Sequence, residues 1–74
     1  MTFRWAWSWP ALTAFYDLHV HTATAVDRAV LDFTRDRAPH LPSGRYRLVA
    51  GGCAIRVRVD ATFRTVLVLY VVRL

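Results

Sequence analysis

The chain has 74 residues, 55% of them apolar, and a formal net charge of +5 at pH 7. A chain this short forms one small domain, residues 1–74, which buries only roughly 60% of the surface exposed on unfolding and so needs nearly all its apolar side chains. The lone cysteine, Cys53, excludes an internal disulfide, and the apolar run Val66 to Val72 is far below the roughly 20 residues that span a bilayer as a helix. A lone thiol and no secretory signal are expected of a soluble cytoplasmic protein.

Taken in chain order, Thr2 to Trp9 alternates. Phe3, Trp5, Trp7 and Trp9 fall on one side, and Arg4, Ala6 and Ser8 on the other, which predicts a half-buried strand with the aromatic stripe in the core. Ser8 is placed to cap a helix that tolerates Pro10 in its first turn and runs to about His19, with Leu12, Phe15 and Tyr16 as its apolar stripe. A second helix is expected from about Thr22 to Arg37. Thr24 and Asp27 resemble a short capping box, and Val26, Ala29, Val30 and Phe33 recur at helical spacing.

The segment Pro39 to Gly44 breaks the pattern, and the apolar period then changes from 3.6 to 2. Arg45 to Val49 reads as a strand, and Gly51-Gly52 as a hairpin turn. In the next strand Ile55, Val57 and Val59 alternate with Arg56, Arg58 and Asp60. After a turn at Asp60 to Phe63, Arg64 to Arg73 is a strand apolar on both faces at its middle, as a central strand would be. The expected fold class is α+β in the order β-α-α-β-β-β: a twisted, mainly antiparallel sheet with a helical hairpin packed on one face.

The charge is concentrated in one part of the chain. All ten basic residues are Arg and all five acidic ones are Asp. Residues 1–43 carry four Arg and four Asp, whereas residues 44–74 carry six Arg and one Asp, so the whole excess of +5 lies in the second part. Arg45 and Arg47 share a face of one strand, and Arg56 and Arg58 share a face of the next. If hairpin pairing brings these faces together, four guanidinium groups form one patch. Like charges opposed in a sheet cost some tenths of a kcal/mol per pair, a cost that a phosphate or carboxylate partner would offset. A binding face for an anion is therefore expected.

Other candidate sites are weaker. Asp17 to Thr22, DLHVHT, is similar to the opening of PHP-type metal-dependent phosphoesterases, whose H-x-H pair supplies metal ligands. Here the pair falls at the joint between two helices, with His40 the only other histidine, so no metal site and no cofactor are expected. Cys53 has no histidine near it in sequence to act as a base, and reads as packing. The tryptophans could stack bases, but their period of 2 is that of a core face.

The residues also carry a resemblance. TATAVDRAVLDFTRD is similar to the second helix of the RelE/ParE superfamily of toxin–antitoxin toxins, GRYRLVAGG to the strand before its hairpin, and TVLVLYVVRL to its last strand. The resemblance implies a growth-blocking toxin neutralised by an antitoxin through an acidic or helical segment. Its target would be RNA on the ribosome, in RelE-like members that cut mRNA, or gyrase, in ParE-like ones. Carried over by position, Arg45 and Arg47 match the family's paired basic residues and Arg73 its basic residue at the end of the last strand. Arg56 and Arg58 extend the nucleic-acid or antitoxin surface.

The chain also departs from the family. Cys53-Ala54 stands where the family has Tyr-Arg, and the chain stops at Leu74, before the tail that carries the last catalytic groups of RelE-like nucleases. Arg56 could replace the lost arginine, since a shift from 54 to 56 keeps the same face. It supplies no general acid or base. The alternative reading is thus an inactive interaction module of the same fold, homodimeric through its apolar sheet edge.

Overall fold

The computed structural model describes residues 2–74. Strand β1 (Arg4–Trp7) is followed by helices α1 (Trp9–Tyr16) and α2 (Val20–Asp32). Helix α2 runs on into a π-helical turn, Phe33–Arg37, and a 3-10 turn, Ala38–His40. Strands β2 (Gly44–Ala50), β3 (Cys53–Asp60) and β4 (Thr65–Arg73) complete one sheet in the order β1-β4-β3-β2. The β2–β3–β4 meander is antiparallel and β1 pairs parallel to β4, so the sheet is mixed. The α+β class and the order of elements are as expected from the sequence.

The helical layer covers one face of the sheet. From the sheet it receives Leu48, Ile55, Val57, Val59, Val66, Val68 and Val71, and from the helical side Ala11, Val26, Val30, Phe33 and Ala38, all buried. Complete burial of a Val or Ile side chain stabilises the fold by about 1.5–3 kcal/mol. The strict alternation of β3, with Ile55, Val57 and Val59 inward, fixes its register and therefore aims Arg56 and Arg58 at the other face.

Ser8 caps α1 as its position suggests: its Oγ accepts the Ala11 N–H at 3.2 Å. The helix ends at Tyr16 rather than near His19, because Asp17 and Leu18 donate to the carbonyls of Ala14 and Phe15 and tighten the last turn. Tyr16 is exposed, and the residues of α1 that pack into the core are Ala11, Ala14 and Phe15. Helix α2 begins earlier than expected, with His19 as N-cap, and Thr24 Oγ1 donates back to the Val20 carbonyl instead of capping. The stripe Val26, Val30 and Phe33 is buried as the spacing predicts.

The aromatic stripe differs more from expectation. β1 is a four-residue edge strand; Phe3, just before it, and Trp7 pack against the core, the Trp7 ring 4.7 Å from that of Phe15. Trp5 lies on the outer edge of the sheet and is exposed. Trp9 has left the strand for the start of α1 and is exposed too. An edge strand has a neighbour on one side only, so half of the cover that a core stripe needs is missing.

Candidate anion-binding face

Gly51 and Gly52 both adopt positive φ, +59° and +75°, the pair of left-handed conformations that a tight two-residue hairpin requires. This turn sets the register of β2 on β3: Arg45 stands directly opposite Arg58, and Arg47 directly opposite Arg56. Facing residues in an antiparallel pair have Cβ atoms about 5 Å apart. The two tiers lie two residues apart along each strand, about 7 Å. All four arginines project from the face away from the helices. Arg56, on an interior strand, is half-buried and the other three are exposed.

Strand β4 adds a residue to this face that its sequence does not announce. Val57 pairs with Val68, but Arg56 pairs with Tyr70, so Leu69 is an extra residue, a β-bulge. With Val66 and Val68 inward, simple alternation would send Tyr70 into the core. The bulge reverses the parity beyond it: Val71 is buried and Tyr70 lies on the open face beside Arg56. Arg47, Arg56 and Tyr70 therefore form one row across three strands.

The arginines of this face have no internal partner among the described residues. The ion pairs seen there join Arg35 to Asp32 at 3.0 Å and to Asp36 at 2.8 Å, on the helical side. That pairing lowers the Asp36 pKa below the ordinary carboxylate value and raises that of Arg35. Asp60, which lies at the end of the arginine face near Arg45 and Arg58, is engaged locally: its Oδ1 accepts the N–H groups of Thr62 and Phe63 and shapes the turn.

Arg73 does not join the patch. It pairs with Cys53, whose side chain is buried on the helical face, so Arg73 leaves the end of β4 toward that side. Arg64 sits in the β3–β4 turn at φ +53°, and its carbonyl accepts the Arg4 N–H.

The remaining candidates lie apart from the face. Cys53 is fully buried, with its thiol 3.9 Å from the Gly51 carbonyl. In DLHVHT, Asp17 closes α1 and His19 Nδ1 accepts the His21 N–H at 3.3 Å, with the two rings 5.2 Å apart. Among the described residues no three His, Cys, Asp or Glu side chains gather as metal ligands, and no helix is long and apolar enough to cross a membrane. Among the described residues, the ionisable groups on the open face other than arginine are Asp60 and the Tyr70 phenol. Tyr70 places a phenol hydroxyl directly beside Arg56.

Two helices layered on a four-stranded mixed sheet in this order define an α+β protein with the RelE-like fold. The chain is similar over its full length to a chain in the crystal structure of the RelBE2 toxin–antitoxin complex of Mycobacterium tuberculosis, with a TM-score of 0.71, 20% identity and 100% of both chains covered. It is similar in the same way to the intact RelBE toxin–antitoxin complex of E. coli, with a TM-score of 0.71, 16% identity, and 100% and 98% of the two chains covered. No family model and no curated protein matches the sequence.

Proposed function

We propose that this chain is the toxin, or a toxin-derived protein, of a type II toxin–antitoxin pair, working in the cytoplasm through its open sheet face. The observation that carries this reading is the pair of opposed arginine tiers, Arg45 with Arg58 and Arg47 with Arg56, set side by side, none of them in an ion pair among the described residues. Such an arrangement costs free energy in the isolated protein and gains it with a polyanion. The shared fold with structures of toxin–antitoxin complexes supports a protein partner, an antitoxin whose acidic segment would occupy the same arginines when the anionic target does not.

On this reading Arg47 and Arg56 hold consecutive phosphates of an RNA strand, or acidic groups of a ribosomal or gyrase surface, and Tyr70 stacks on or hydrogen-bonds to the group between them. Arg73, at the other side of β4, serves an antitoxin that wraps around the strand end. The test is expression with and without the neighbouring antitoxin gene: growth arrest that the neighbour relieves, and that Arg47→Ala with Arg56→Ala abolishes, is expected. Normal growth on expression of the intact chain alone overturns the toxin reading.

A second reading has its own observation. The open face offers Tyr70 but no histidine or glutamate beside it. An interaction module without nuclease activity, neutral to growth yet still bound by the antitoxin or by a second copy of itself, accounts for that. Cleavage of ribosome-bound mRNA by the purified protein, or growth arrest on its expression, would exclude this second reading.

A further inference from the structure

A second concave site lies on the opposite side of the molecule from the arginines. The lead into β1, Thr2 and Phe3, together with Trp5, faces Leu31, Thr34 and Pro39 across a cleft of about 350 Å³. Most of that lining is apolar. The charged residue at the rim, Arg35, is committed to Asp32 and Asp36. The lining also holds two threonines, Thr2 and Thr34, and the buried one is Thr34. Thr34 is 2% exposed, and its Oγ1 is buried with no hydrogen-bond partner.

A helical threonine ordinarily returns its hydroxyl to the carbonyl four residues back. Thr34 lies in the π-helical turn, where the backbone leaves the regular ladder, and that bond is not made. Turns of this kind occur often at functional sites. An unsatisfied buried hydroxyl is a destabilising feature, and the residue that carries it lines a cleft of the size that takes small ligands. Helical threonine populates two χ1 rotamers, so a single rotation exchanges methyl for hydroxyl at the cleft wall.

We propose that this cleft is a binding site for a small, uncharged aromatic molecule carrying one hydroxyl or amide group, its ring against Trp5 and Phe3 and its polar group bonded to Thr34. The site is independent of the arginine face and of the reading given for it. Its signature is a sign, since a dry apolar cavity favours a hydrocarbon over the same ring bearing a hydroxyl, and a wall with an unused hydroxyl reverses the order.

The test uses p-cresol and toluene, titrated into the isotope-labelled full chain while amide shifts are followed by NMR. The expected result is that p-cresol binds at least about tenfold tighter than toluene, with shift changes centred on Phe3, Trp5, Leu31, Thr34 and Arg35. In Thr34→Val, whose thermal stability should match or exceed that of the parent, toluene becomes the tighter ligand. Toluene preferred by the parent protein, an unchanged order in Thr34→Val, shift changes centred elsewhere, or no binding of either compound at millimolar concentration would each overturn the proposal.

Discussion

The hydroxyl of Ser8 donates to the carbonyl of Leu69 at 2.7 Å while accepting the N–H of Ala11. One side chain thereby caps α1 and binds the carbonyl of the bulged residue in β4. The backbone N–H of Ser8 adds a bond of 2.9 Å to the Val68 carbonyl. The first helix and the bulge that turns Tyr70 outward are thus held by the same residue.

Ser8→Ala removes both side-chain bonds and should lower stability by about 2 kcal/mol, of which the cap accounts for about 1. Ser8→Gly, with glycine a tolerated N-cap, should cost less, about 1 kcal/mol, chiefly from the lost bond to Leu69. Chemical denaturation measures the loss. The amide of Tyr70 should exchange faster with solvent in both variants, and unchanged exchange there would dissociate the bulge from the cap.

The opposed arginines make a prediction of opposite sign for stability and binding. Removing Arg47 or Arg56 singly should leave stability unchanged or raise it by some tenths of a kcal/mol, by relieving like-charge contact. The same change should weaken binding to single-stranded RNA and reduce the salt dependence of that binding by about one unit of slope. Arg73→Ala, on the other side of the strand, should leave that slope unaltered.

Tyr70→Phe and Tyr70→Ala separate two roles of the phenol. If the ring stacks on a base, Tyr70→Phe should retain binding and Tyr70→Ala lose about 1–3 kcal/mol. If the hydroxyl takes part in chemistry, Tyr70→Phe should bind normally and lose turnover. Fluorescence anisotropy with a labelled oligonucleotide and a ribosome-dependent cleavage assay measure these separately.

The hairpin glycines should not be equivalent. A Cβ on Gly51 would stand 3.1 Å from the Ala25 Cβ and 3.2 Å from the Thr22 carbonyl oxygen, whereas one on Gly52 meets nothing within 4 Å. Both φ values are positive, so each alanine carries strain of about 1–2 kcal/mol. Gly51→Ala should be the more damaging of the two, since it also presses β2–β3 away from α2. Thermal melts of the two variants give the comparison.

The meander and its outward arginines were legible in the sequence because β3 alternates without a fault: three β-branched residues inward, with Arg56 and Arg58 between them. The Ser8 cap and the α2 stripe were legible for the same reason, a local pattern with a single physical reading. The bulge was not. Val66 to Val72 is apolar at both parities, so no polar residue marks the point at which the alternation slips, and Tyr70 gave no sign of its face. The tryptophans misled in the opposite direction, for a period of 2 reports which side a residue points to, not whether anything covers it. Arg73 was grouped with the other arginines through the family resemblance, and only its pairing with Cys53 assigns it to the other side.

The placement of β4 between β1 and β3 has a consequence for how the molecule is made. Of the four strands, the last to leave the ribosome is the one that both neighbours require. Until Thr65–Arg73 emerges, β1 has no strand to join and the β2–β3 hairpin carries an unsatisfied inner edge, so the arginine tiers stand on an incomplete support. A nascent chain therefore has no assembled arginine face to present before synthesis has passed Thr65–Arg73, and the delay is written into the order of the strands.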